Sequence, residues 1–160
     1  MKKNKISKNW INKQRRDVYV KQSIVEGYNS RAVYKLKEID EKFKIFKNGN
    51  SIIDLGAAPG SWSQYVSKKV KHAKILSIDL LDFEKIEKIY QIKGDFTDDV
   101  SKKKIKDYYG SKVDVVMSDM AVNTTGNKNL DSINTSELCI EAMNFSKEVL
   151  KEDGKFISKI

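Results

Sequence analysis

Cysteine, proline and histidine each occur once in the 160 residues, as Cys139, Pro59 and His72, and arginine only three times. One cysteine excludes a disulfide framework within the chain. With one histidine there is no Cys/His set at zinc-ligand spacing, so no metal is expected. A single proline, and no stretch rich in Gly or Ser, leave no linker or low-complexity segment. No apolar run reaches the roughly 18 residues of a membrane span. The basic N-terminus has no apolar stretch behind it, which is not the pattern of a secretory signal. A cytoplasmic protein with no membrane partner is the expectation, with an organelle as the alternative location. The length suits one domain without internal repeats, and 39% hydrophobic residues are too many for a disordered chain, although 33% are charged.

Acidic residues are also unevenly missing. Lys plus Arg number 31 against 22 Asp plus Glu, a net charge of +9. The first 50 residues hold 14 basic and 5 acidic side chains, whereas residues 51–160 hold 17 of each. Residues 1–16 carry seven basic residues and no acid. A basic arm on a neutral body is the electrostatic footprint of a polyanion binder, and equally the composition of a solvated tail. Two units are expected: a flexible arm over 1–16 and a domain over 17–160. Trp10 and Tyr19, set among basic residues, are candidates for stacking on bases or for anchoring the arm to the domain.

Periodicity predicts a helix from Ser30, which can cap it, with Leu36, Ile39, Phe43 and Phe46 at helical spacing and Gly49-Asn50 ending it. Strands then alternate with helices. Ser51–Leu55 reads as a buried strand, Trp62–Val70 as a helix, Lys74–Leu80 as a strand and Ile89–Lys93 as a short strand. A helix follows near Asp98–Tyr109, then a strand at Val113–Ser118. Asn123–Asn129 reads as a loop, followed by a long helix with Leu138, Ala142, Phe145 and Val149 on one face. A turn at Asp153-Gly154 leads into a fifth strand at Lys155–Ile160. This alternation implies parallel crossovers: an α/β, Rossmann-like, mostly parallel, doubly wound sheet. Chemistry is then expected just after each strand, at the carboxyl edge.

The first strand runs into Asp54-Leu55-Gly56-Ala57-Ala58-Pro59-Gly60-Ser61-Trp62. Small residues here admit a ligand close to the backbone, or simply permit a tight turn. Ala58 stands where the dinucleotide fingerprint has its middle Gly, and Pro59 removes an N–H. Both disfavour a pyrophosphate cradle, and with it a nicotinamide dehydrogenase. Asp79 closes the second strand about 20 residues further on, where an acid can accept hydrogen bonds from ribose hydroxyls. Asp95, in Gly94-Asp95-Phe96, can take an exocyclic amine while Phe96 packs beside a base.

Four segments in order, Asp54–Val66 (DLGAAPGSWSQYV), Ser77–Leu81 (SIDLL), Gly94–Phe96 (GDF) and Val115–Ala121 (VVMSDMA), resemble the FtsJ/RrmJ family of S-adenosylmethionine-dependent ribosomal RNA 2′-O-methyltransferases. Asp17–Lys21 (DVYVK) and Arg31–Leu36 (RAVYKL) are similar to the family's N-terminal segment. The resemblance implies S-adenosyl-L-methionine as cofactor, and a site built from Gly56, Ala57, Ala58, Pro59, Gly60, Trp62, Asp79, Leu80, Asp95, Phe96 and Asp119. Asp79 would serve the ribose, Asp95 the adenine side and Asp119 the methionine end. It implies a monomer whose partner is ribosomal RNA in the large subunit, methylated on a uridine ribose. Ser61 and Val122 stand where the family carries Gly and Pro.

The family's catalytic pattern is Lys–Asp–Lys–Glu. Lys35, Asp119 and Lys159 match its first three positions; the Glu would lie beyond Ile160, and the chain reads as shorter than the family at that end. A ribose hydroxyl is a poor nucleophile while protonated, so positioning and a base both help. Positive charge from Lys35 and a sulfonium would favour a neutral Lys159, and Asp119 would favour the ammonium, so the balance stays open from sequence. Transfer RNA or an mRNA cap would suit the same catalytic residues, and a non-catalytic RNA- and cofactor-binding protein is the alternative of another class.

Overall fold

A computed structural model describes residues 17–120 and 125–159. The basic arm with Trp10, and Ala121–Thr124 with the first part of the expected loop, lie outside the described residues. Ten elements follow in order: α1 (Val18–Val25), α2 (Val33–Phe43), β1 (Ser51–Leu55), α3 (Ser61–Lys69), β2 (Lys74–Asp79), β3 (Ile89–Lys93), α4 (Asp99–Tyr109), β4 (Val113–Ser118), α5 (Lys128–Val149) and β5 (Leu150–Ser158). The five strands form one sheet in the order β3-β2-β1-β4-β5, and every pairing is parallel. The chain runs outward from β1 to β3 and then returns to β4 on the other side. The topological switch therefore falls between β1 and β4, and ligands in such sheets bind at the carboxyl ends of those strands.

Alternation along each strand divides the core in two. Ile52, Ile75, Val115, Met117 and Ile157 meet α2 and α3 through Leu36, Trp62 and Val66. Ile53, Leu55, Leu76, Ile78 and Val116 meet α4 and α5 through Ile105, Ala142, Phe145 and Val149. One buried carboxylate pins the first layer. Asp40 accepts hydrogen bonds from the backbone N–H groups of Ile45 (2.9 Å) and Phe46 (3.2 Å) and from the Tyr65 hydroxyl (2.8 Å), and is ion-paired with Lys69. These partners outweigh burial and hold its carboxyl below the usual range.

Several details differ from the periodic reading. Helix α1 was not expected; Asp17 caps it by accepting from the N–H groups of Tyr19 (2.9 Å) and Val20 (3.4 Å). Ser30 does not cap α2 directly. Its Oγ accepts at 3.0 Å from the N–H of Ala32, the residue immediately before the helix begins. The helix ends at Lys44, in the left-handed conformation, so Phe43 is 61% exposed while Phe46, beyond the helix, is buried. Strand β2 stops at Asp79, and α5 begins at Lys128 inside the expected loop. Strand β5 begins at Leu150 rather than Lys155. Val113 pairs with Leu150 and Val115 with Lys155, so the expected Asp153-Gly154 turn is an irregularity within the strand.

Candidate active site

The parallel register sets the site. Leu55 pairs with Ser118, and Ser118 with Ser158, so Gly56, Asp119 and Lys159 leave three neighbouring strands at one level. The Lys159 N–H donates to the Ser118 carbonyl at 3.0 Å, which carries the pairing to the edge itself. Beyond it the Lys159 ammonium is ion-paired with Asp119 Oδ1. The Asp119 side chain is only 16% exposed and that of Lys159 46%. Lys35 arrives from α2.

Two clefts open on either side of Asp119. The first, of about 500 Å³, is lined by Gly56, Ala58, Asp79, Leu80, Asp95, Phe96 and Asp119, joined by Leu81, Thr97, Met120 and Leu138. The second, of about 560 Å³, is lined by Lys35, Asp119 and Lys159 together with Tyr19, Ser30–Tyr34 in part, and Glu38. The three residues matched to a catalytic role thus share one cleft, and six of those matched to the cofactor line the other with Asp119. Leu138, read as a core residue of the long helix, also reaches the first cleft. Met120, Thr97 and Leu81 follow directly after residues already singled out, and their contribution depends on loop paths that periodicity does not describe.

Within the loop after β1 the backbone donors are spoken for. Gly56 and Ala57 donate to the Ile78 carbonyl (2.8 and 3.1 Å), Gly60 to the Ala57 carbonyl (2.6 Å), and Ala58 to Asp79 Oδ2 (2.9 Å). Pro59, joined to Ala58 by a cis peptide, has no N–H. No N–H from Gly56 to Gly60 is left to cradle a phosphate. Gly60 adopts φ +99°, and a Cβ there would stand 2.7 Å from Ile86 Cδ1; one on Gly56 would collide with Met120 Cγ at 2.0 Å. The small residues therefore serve the packing of Ile86 and Met120 as well as ligand access. Trp62 is turned away from the first cleft: its indole is buried in the core and donates to the Ala32 carbonyl at 2.9 Å.

The acids keep acceptor capacity. Asp79 accepts from Ala58 through one oxygen and from the Leu81 N–H (2.8 Å) through the other, using two of about four lone-pair positions. Asp95 Oδ1 takes the Thr97 N–H (2.8 Å) and hydroxyl (2.7 Å). Beneath them lies Asp54, fully buried, whose Oδ2 meets the Ser63 hydroxyl at 2.5 Å while Oδ1 has no partner among the described residues. Burial first, and then the charges of Asp119 and Asp79, push its carboxyl up to about 7 against the pull of Ser63. Asp79 and Asp119 are the acids placed at the edge itself, where they suit a cationic ligand. Sequence showed Asp54 only as a strand residue leading into the loop; its coupling depends on three strands converging.

A side-chain amide pair links this loop to the N-terminal segment. Gln64 Nε2 donates to Asn29 Oδ1 at 3.0 Å, the Asn29 backbone N–H donates to Gln64 Oε1 at 2.8 Å, and Asn29 Nδ2 donates to the Pro59 carbonyl at 2.7 Å. Nothing local in the sequence signals this contact, because its partners lie 30 and 35 residues apart. Among the described residues no cluster of His, Cys, Asp and Glu could hold a metal ion, and no helix is long and apolar enough to cross a membrane.

Known proteins resemble this chain in sequence and in fold. The ribosomal RNA large subunit methyltransferase E of Pelagibacter ubique is 68% identical over 160 residues, covering 100% of this chain and 79% of its own. The protein of the same name from Zymomonas mobilis is 46% identical over 154 residues, covering 96% and 70%. Among solved structures, a ribosomal RNA methyltransferase of Plasmodium falciparum superposes with a TM-score of 0.74 at 34% identity, over 82% of this chain and 77% of that one. The family model of FtsJ-like methyltransferases matches residues 28–160, and the chain belongs to that family.

Proposed function

We propose that the chain methylates the ribose 2′-hydroxyl of a uridine in large-subunit ribosomal RNA, with S-adenosyl-L-methionine as donor. The observation that carries this reading is Asp119, which lines both clefts and is ion-paired with Lys159. A methyl donor in one cleft and a ribose in the other would meet at this residue. The names of the relatives from Pelagibacter ubique and Zymomonas mobilis support ribosomal RNA as the substrate, and the charge of the N-terminal third suits a polyanion.

The residues of the first cleft fit the donor. Asp79 retains acceptor positions for ribose hydroxyls, and Asp95 with Phe96 suits an adenine. The acids at the edge suit a sulfonium and an ammonium, while a pyrophosphate would find no free N–H in the loop. When bound, the donor supplies an electrophilic methyl on a positively charged sulfur. The protein's part is to orient and to move one proton. Lys159 and Lys35 would hold the incoming hydroxyl in the second cleft and Asp119 fixes the Lys159 side chain; once its ammonium has released a proton to solvent, the Lys159 amine would take the hydroxyl proton as the methyl passes from sulfur to the hydroxyl oxygen. Holding the reactants in line accounts for much of the acceleration such a site can give.

The relatives are longer than this chain, so turnover is measured on protein of the relatives' length. It is incubated with ribosomal particles from cells lacking the modification and a methyl-labelled donor. Label on a 2′-O-methyluridine of the large-subunit RNA is the expected result. Label on a base, or on transfer RNA in preference, would overturn the reading.

A further inference from the structure

Methyl transfer to one ribose among thousands needs a handle other than the sugar and phosphate, which every nucleotide shares. The base is that handle. The second cleft is larger than a ribose requires, and its outer wall is aromatic. Tyr19 is half exposed there, with its ring lying on that of Tyr34 at 5.3 Å between centroids and 40° between planes. Tyr34 is buried in the core beneath it, so the exposed ring rests on a fixed one.

Tyr19 is held from the backbone side too. Its N–H is bonded to Asp17 Oδ1 at 2.9 Å, and Asp17 Oδ2 is bound by Arg31 at 2.6 Å. Helix α1 contributes little to the core: Ser23 is its one buried residue, and Val18, Ile24 and Val25 are exposed. Core formation therefore does not explain why this short helix is capped, ion-paired to Arg31 and carries an aromatic ring into the cleft beside Lys35 and Lys159. Stacking on a base does, because every base has a π-face and an exposed, fixed ring loses little freedom on meeting it.

We infer that Tyr19 is the stacking platform for the base of the target nucleoside, with α1 as the element that positions it. This rests on reading the second cleft as the ribose site. Tyr19→Phe keeps the ring, whereas Tyr19→Leu keeps packing on Tyr34 but loses the platform. The inference predicts that Tyr19→Leu and Tyr19→Ala lower kcat/KM on the ribosomal particles on the order of ten- to a hundredfold, that Tyr19→Phe stays within about threefold of the wild type, the remaining ring still stacking, and that donor affinity is unchanged in all three. An independent measurement needs no turnover: single-stranded RNA carrying 5-iodouridine is irradiated with the chain, and the cross-link is mapped by mass spectrometry. A cross-link on Tyr19 is expected. A folded Tyr19→Leu protein with wild-type kcat/KM, or cross-links that avoid Tyr19, would overturn the inference and leave the methyltransferase reading standing. A cross-link on Tyr19 in a protein that never methylates RNA would uphold the platform and remove the reading beneath it.

Discussion

Replacing Asp54 by asparagine should flatten the pH dependence of stability. Asp54 is buried under α3, bonded to Ser63 at 2.5 Å, which in turn meets Ser77 at 2.6 Å. Its carboxyl is pushed from 3.8 up to about 7, by burial first and then by Asp119 and Asp79. The folded chain therefore keeps this proton over a range in which the unfolded chain has lost it. The stabilisation is complete below 3.8 and is lost as pH rises through about 7. At 1.36 kcal/mol per pH unit, that interval corresponds to about 4 kcal/mol at alkaline pH. For a domain of this size it amounts to a fall in Tm on the order of ten degrees. Asparagine has the same shape and no proton to lose. Thermal melts at pH 5 and pH 8.5 should show a marked fall in the wild type and little change in Asp54→Asn, with the mutant the more stable at the higher pH. The other shifted carboxyls, Glu26, Asp40, Asp98, Asp114, Asp131 and Glu148, are all held below their usual values and titrate beneath this window. An Asp54→Asn protein whose Tm falls as steeply as the wild type's would refute the assignment of the slope to this residue.

Asp79→Ala should weaken donor binding by about 1–3 kcal/mol, since ribose hydroxyls and the Ala58 and Leu81 N–H groups lose their acceptor; titration calorimetry on the folded mutant checks it, and unchanged affinity would remove the ribose role. Deleting residues 1–16 should lower RNA affinity and reduce the steepness of its salt dependence, because up to seven phosphate contacts go with the seven basic residues. Filter binding across a salt series reads this, and an unchanged slope would make the arm a solvated tail.

Much of the framework was legible because it follows local rules. Strands of buried aliphatic residues such as Ser51–Leu55 and Val113–Ser118 appear at the bounds their composition suggests, and parallel order follows from the helices between them. Motif spacing carried the family, now supported by the match over residues 28–160. What escaped was non-local. Phe43 kept helical spacing but lies at the last turn, where the chain leaves through Lys44 and exposes it. Helix α1 is only eight residues long, its apolar residues are spread round it rather than gathered on one face, and it depends on Asp17 and Arg31, 14 residues apart. Trp62, matched to the cofactor loop, directs its indole into the core because Ala32 offers a carbonyl there. The charge state of Asp54 is set by strands β1, β2 and β4 converging, which no window of sequence contains.

The most direct measurement is kcat and donor affinity for Lys159→Ala, in protein of the relatives' length, acting on ribosomal particles that lack the modification. Asp119 and Lys159 are paired at the junction of the two clefts, and the pair is assigned to the reacting hydroxyl rather than to holding the donor. Methyl transfer should fall below detection while donor affinity stays within about twofold, the pattern of an interaction used in the transition state. Near-normal turnover in the folded mutant would contradict the assignment and leave Lys159 a strand-end cation paired with Asp119.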